Sequence, residues 1–331
     1  MKIGILGAGS WGTALAKLLN GNDHEVTVWS IDAEEIVMLN EYHEHRSKLP
    51  GVMLPGNITF TTEAATAVEG ADMLVMVVPS PFVRSTAKTI SQYVSEGQLI
   101  VNASKGIEES TLMLLDEVIK DEIPQACVGV ISGPSHAEEV GLSMPTTVVA
   151  GSRDEAVAKT IQDAFMNDFF RVYTSTDVLG IELGAALKNV IALAAGIADG
   201  AGCGDNTKAA LITRGIAEIT RLGVKMGGSR DTFAGLSGIG DLIVTCESKH
   251  SRNRRAGFLI GQGKSYHEAM DEVHMVVEGV YSAKAALMLS KKYGVEMPIV
   301  EVVNRVLFED LKTEEAIRLL LTRSKTAEVY S

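Results

Sequence analysis

A chain of 331 residues is long enough for two domains of ordinary size, and a hydrophobic content of 46% is enough to give each a core. A net charge of −12 argues against a general nucleic-acid surface, since binding a phosphate backbone needs a basic face. Small anions remain open as ligands wherever lysine and arginine gather locally. Cys127, Cys203 and Cys246 fit no paired spacing and read as reduced thiols. The N-terminus shows no signal-peptide pattern, and no stretch reaches the roughly 18 apolar residues that span a membrane, so a cytoplasmic protein is expected.

Short apolar, β-branched runs alternate with helix-length segments through the first half: Ile3–Leu6, Val26–Trp29, Met73–Val78, Leu99–Asn102, Val128–Ile131 and Thr146–Ala150. This alternation predicts βαβ units around a mainly parallel sheet buried on both faces. From about Ile181 the spacing turns helical, in Ile181–Ala198, Lys208–Leu222 and Ser282–Tyr293, with Gly-rich turns between. An α/β domain over residues 1–178 followed by an all-α domain over 179–331 is therefore expected.

The first strand runs into Gly7-Ala8-Gly9-Ser10-Trp11-Gly12, a G-x-G-x-x-G at the start of a helical segment. In that context Gly7 permits the tight turn, Gly9 admits a pyrophosphate and Gly12 lets helix and strand pack closely. The free N–H groups of the helix start then face the phosphates. Two roles are open for Asp32, after the second strand: acceptor for a ribose hydroxyl, or N-cap of the helix that Ala33-Glu34-Glu35 begins. His43-Glu44-His45 reads as a polar surface segment, because alternate residues on a helix point apart and no third metal ligand is near.

Ser104-Lys105-Gly106 and Gly133-Pro134-Ser135-His136-Ala137 follow strands, where open parallel sheets bind ligands. His136 has no visible partner and is not assigned as a base. Lys188 is the only charged residue between Glu182 and Asp199. An ammonium there is costly to desolvate, and its pKa can fall toward values useful for proton transfer; the alternative is a lysine that snorkels from a surface helix. Gly184 and Ala185 would leave room for a bound molecule beside the amine. Gly235–Leu242 is either a flexible loop or a device that brings Asp241 near the lysine. Ser251-Arg252-Asn253-Arg254-Arg255 is the densest basic cluster, suited to phosphate oxygens or else a solvated face.

Taken in order, Gly7–Gly12, Ala103–Gly106, Ser132–Ala137, Leu187–Val190, Ala209–Gly215, Gly240–Leu242, Ser251–Arg254 and Val276–Gly279 resemble the bacterial-type NAD(P)-dependent glycerol-3-phosphate dehydrogenase family. The resemblance implies a Rossmann-type first domain, a helical second domain and a cleft between them. It implies interconversion of dihydroxyacetone phosphate and sn-glycerol 3-phosphate for phospholipid precursor supply, with Lys188 as general acid/base; no metal is expected, because an ammonium can supply the electrophilic assistance. By the same resemblance Lys105, Gly133, Ser135, Asp241, Ser251, Arg252 and Asn253 contact substrate. Ser10, Trp11, Lys105, Ala137, Arg252, Val276 and Glu278 contact the cofactor, NAD or NADP. A homodimer is compatible with this plan. Ser30-Ile31 departs from the basic residue or histidine that many relatives carry, which leaves NADH and NADPH both open. The rivals are a lysine-dependent hydroxyacid or sugar-acid dehydrogenase and a non-catalytic dinucleotide sensor.

Overall fold

The computed structural model describes residues 1–325, 327 and 328. Among them the first half forms an eight-stranded sheet: β1 (Lys2–Leu6), β2 (Glu25–Trp29), β3 (Thr59–Thr61), β4 (Met73–Met76), β5 (Leu99–Asn102), β6 (Cys127–Ser132), β7 (Thr146–Gly151) and β8 (Phe170–Ser175). Their spatial order is β3-β2-β1-β4-β5-β6-β7-β8. The pairings are parallel except β6 with β7, which is antiparallel. The six runs expected from sequence are all strands; β3 and β8, the two edges, were not anticipated.

Period-two alternation divides the strand side chains between two apolar layers. Ile3 and Ile5 of β1 pack with Leu15 and Leu19 of the Ser10–Gly21 helix. Leu6, Leu74 and Met76 face the other way, onto Val83, Ala87 and Ile90 of the Val83–Ile90 helix. The strand order reverses between β1 and β4, which run parallel, and the loops leaving the carboxyl ends of these strands border a crevice there.

The second half is helical, built on the Val178–Gly200 helix, buried along nearly its whole length. By length and composition that helix could cross a membrane, contrary to expectation: its best window has a mean hydropathy of 1.7. Protein surrounds it instead, with 94% of that window buried. The Arg252–Gly261 helix crosses it glycine against glycine. A Cβ on Gly196 would lie 2.1 Å from the Arg254 carbonyl oxygen, and one on Gly257 would lie 2.2 Å from that of Leu193. This close approach brings the start of the Arg252–Gly261 helix alongside Lys188.

Candidate active site

A cleft of about 940 Å³ runs from the carboxyl ends of β1 and β4 to the Lys188 helix. At its first-domain end Gly7, Gly9, Ser10 and Trp11 form the wall. Gly7 has φ +121°, a conformation that favours glycine. Gly12 is outside the cleft wall and works as a packing glycine: its Cβ would sit 2.0 Å from the Gly7 carbonyl oxygen. Gly9 N-caps the Ser10–Gly21 helix, no side chain caps that helix, and nothing lies within 4 Å of where its Cβ would be. Open space beside uncapped N–H groups fits a dinucleotide's pyrophosphate. Gly9→Val is therefore expected to leave folding near normal and to weaken dinucleotide binding strongly. Titration of the folded variant with NADH and NADPH checks this; unchanged affinity for both would reduce the motif to a turn.

At the other end Lys188 is 5% exposed and donates from Nζ to Asp241 Oδ1 at 2.5 Å and to Thr245 Oγ1 at 2.6 Å. Snorkelling to solvent is thereby excluded. Lys105 Nζ donates to Asp241 Oδ2 at 2.7 Å and to the Gly133 carbonyl at 3.1 Å. One buried carboxylate thus joins two ammonium groups from the two halves of the chain. Burial drives the Lys188 pKa down to about 8, with Lys105 adding to the shift and Asp241 opposing it. Burial pushes the Asp241 carboxyl upward, but Lys105 and Lys188 outweigh this and hold it below the usual carboxylate range.

Asp241 is placed by a π turn over Leu236–Gly240. That turn packs so tightly against Gly184 that a Cβ there would lie 2.9 Å from the Ser237 carbonyl oxygen. Gly184 is therefore small for backbone packing, and the space expected for a ligand at that residue is filled. Gly235–Leu242 resolves as the device that brings Asp241 to the lysine.

Ser135 and Ala137 border the cleft after β6. The Ser135 hydroxyl donates to the Gly133 carbonyl at 2.9 Å, and Gly133 itself is not part of the cleft wall. Ser251 N-caps the Arg252–Gly261 helix, its Oγ accepting from the Arg254 N–H at 3.2 Å. The basic cluster divides. Arg252 lines the cleft and, among the described residues, has no hydrogen-bond or ion-pair partner. Burial lowers its pKa, with Glu278 and Glu138 opposing. Arg254 instead grips Asp199 through Nε at 2.9 Å and a terminal nitrogen at 2.7 Å. Asn253 borders the cleft but also braces three helices, donating to Asn189 Oδ1 at 3.0 Å and accepting from the Gly279 N–H at 2.8 Å.

Two family descriptions match the chain: "NAD-dependent glycerol-3-phosphate dehydrogenase N-terminus" over residues 2–158 and "NAD-dependent glycerol-3-phosphate dehydrogenase C-terminus" over residues 177–318. The chain belongs to the NAD-dependent glycerol-3-phosphate dehydrogenase family. It is 62% identical to a glycerol-3-phosphate dehydrogenase [NAD(P)+] of Agathobacter rectalis over 99% of this chain and 97% of the relative. A Bacillus subtilis enzyme of the same name is 51% identical over 99% and 96%. The crystal structure of glycerol-3-phosphate dehydrogenase from Coxiella burnetii superposes with a TM-score of 0.94 at 36% identity, covering 97% of this chain and 98% of that one.

Val276 and Glu278, carried over from the family, do border the cleft. Glu278 also accepts from the Ser80 N–H at 3.0 Å and from its hydroxyl at 2.5 Å, tying the second domain to the loop after β4. Burial pushes its carboxyl upward, against those hydrogen bonds and the Arg252 charge. Asp32 is a helix N-cap, accepting from the N–H groups of Glu34 and Glu35 at 3.0 and 3.3 Å, and it also borders the cleft, so the cap and a ribose contact are compatible. The surface assignment of His43–His45 fails. The Ala33–Tyr42 helix ends before them, His43 has φ 48°, and His45 is buried with Nε2 2.8 Å from Glu35 Oε1. Lys48 and Ser30 also bind Glu35, at 2.5 and 2.8 Å. Burial would raise the Glu35 carboxyl, yet these partners lower it to about 2.

Thr245 was missed. Its place four residues after Asp241, on the same face of the Asp241–Glu247 helix, was the available signal.

Proposed function

We propose that this chain catalyses the reversible reduction of dihydroxyacetone phosphate to sn-glycerol 3-phosphate with NADH or NADPH, using Lys188 as general acid and, in reverse, general base. The bridge Lys188–Asp241–Lys105 at the cleft floor carries this proposal, since it presents a buried amine with a lowered pKa beside a dinucleotide cradle. When bound, the reduced nicotinamide supplies a hydride for the C2 carbonyl. Lys188 Nζ gives the carbonyl oxygen its proton as negative charge develops there. Asp241 and Thr245 fix the direction of the amine, and the Thr245 hydroxyl, donating to the Asp241 carbonyl at 2.6 Å, leaves its oxygen to accept from Lys188.

Lys105 and Lys188 set two cations against the one carboxylate of Asp241, and Arg252, which Glu278 and Glu138 face, adds a third. A phosphorylated substrate finds a locally positive floor there, despite the acidity of the whole chain. Ser251 and Asn253 complete the proposed phosphate end. The domain division is proposed at 178/179, where the sheet has ended and the Val178–Gly200 helix begins. Phospholipid precursor supply in the cytoplasm is the role this activity would serve.

Initial rates with dihydroxyacetone phosphate, measured with NADH and NADPH in parallel, test the proposal. Saturable oxidation of at least one nucleotide is expected. Faster turnover of carboxylate substrates would assign the chain a hydroxyacid or sugar-acid substrate instead, and no oxidation with any carbonyl compound would leave a dinucleotide sensor.

A further inference from the structure

Two buried carboxyl groups outside the cleft have no part in the chemistry above. Glu182 precedes Lys188 by six residues on the same helix and is 5% exposed; Asp116, on the Leu115–Glu122 helix, is 4% exposed. Glu182 Oε2 accepts from the Asp116 backbone N–H at 3.1 Å, and the two carboxyl groups are close enough to share a proton. Among the described residues Asp116 Oδ1 is buried without a hydrogen-bond partner, and Asp116 Oδ2 meets the exposed Arg153 guanidinium at 3.3 Å. Burial and the adjoining Asp116 push the Glu182 carboxyl well above the usual range. Adjacent carboxylates away from water do not both ionise, so one proton on the Glu182–Asp116 pair relieves their repulsion.

The other Glu182 oxygen reaches the first domain. Oε1 accepts from Asn102 Nδ2 at 2.5 Å. Asn102 ends β5 and folds its carboxamide over the following turn, donating to the Ser104 carbonyl at 3.2 Å and accepting from the Ser104 N–H at 3.1 Å. The next residue is Lys105, which reaches Asp241 and so meets Lys188. The contacts close a ring that leaves the Val178–Gly200 helix at Glu182 and returns to it at Lys188, about 9 Å along the axis at 1.5 Å per residue. We propose that Glu182, paired with Asp116, is a positioning residue for the reaction: it holds Asn102 and, through the 102–105 turn, fixes Lys105 against Asp241 and Lys188. This rests on Lys105 acting in the cleft as proposed above.

A double-mutant cycle on kcat/KM for dihydroxyacetone phosphate separates positioning from general support of the fold. Glu182→Ala is expected to lower kcat/KM about 10-fold, but less than about 2-fold further in a Lys105→Ala background, because residues acting through one contact are strongly non-additive. Glu182→Gln keeps an acceptor for Asn102 and offers Asp116 a donor, so it should stay within about 3-fold of the unaltered chain. Asn102→Ala breaks the same path in the first domain and should reproduce the Glu182→Ala pattern; it replaces that variant in the cycle if Glu182→Ala does not fold. Equal fold-losses in both backgrounds, or a lower Tm with unchanged kcat/KM, would overturn the proposal while leaving Lys105 in the site. Full activity of Lys105→Ala would remove Lys105 from the site and the proposal with it.

Discussion

Lys188→Ala is expected to lower kcat at least about 10²-fold with little change in dinucleotide affinity, since a positioned acid–base group contributes about 10²–10⁴-fold. The fold should survive the change, because Asp241 keeps its 2.7 Å bond from Lys105 and is not left as an unpaired buried charge. The remaining activity would come from hydride donor and carbonyl being held together in the cleft. Lysine's role also sets the pH dependence. Its pKa is depressed to about 8, so the ammonium dominates below that value and the free amine above it. Reduction needs the proton on Lys188 and should lose kcat/KM as pH rises through about 8; oxidation needs the amine and should gain over the same interval. Initial rates in both directions across that range check the sign. Near-normal kcat for Lys188→Ala, or limbs that persist unchanged in it, would take Lys188 out of the mechanism.

Much of this site was legible because its chemistry is local in sequence. Gly7–Gly12 sits between a recognisable strand and helix, and Lys188 stands out as a lone charge in an apolar helix. The inner strands read clearly because burial on both faces makes them continuous apolar runs. The edge strands did not. Thr59–Thr61 is three residues long, and Phe170–Ser175 alternates buried Phe170 and Val172 with exposed Arg171 and Tyr173, too short a pattern to separate from a loop.

Tertiary closure hid the rest. His45 is buried only because the chain turns back after Tyr42 and sets it on Glu35, ten residues earlier. Asn102 and Glu182 are 80 residues apart, and neither carries a local sign of its partner. The basic cluster looked uniform in sequence, yet helix geometry points Arg254 at Asp199 and leaves Arg252 to the cleft.

That division sharpens the expectation for Arg252. Arg254 is committed to Asp199 Oδ2 through two nitrogens and Arg255 reaches the Glu272 carbonyl, so Arg252 is the member of the cluster that lines the cleft and can meet a phosphate. Its guanidinium lines the cleft at the start of a helix, where free N–H groups also favour an anion. Arg252→Ala should cost roughly 2–5 kcal/mol in kcat/KM for dihydroxyacetone phosphate, the range for stranding a buried charge without its partner. Arg252→Lys keeps the charge but loses the planar fork, so it should still impair the enzyme, by less than the alanine change. Uncharged dihydroxyacetone, already a poor substrate, should lose far less in either variant because it has no phosphate to anchor. Dinucleotide affinity, measured separately, distinguishes a phosphate anchor from a cofactor contact. Equal proportional losses for the phosphorylated and uncharged substrates would show that Arg252 serves the cofactor or the fold, and the phosphate site would then fall to Lys105, which already reaches the cleft floor through Asp241.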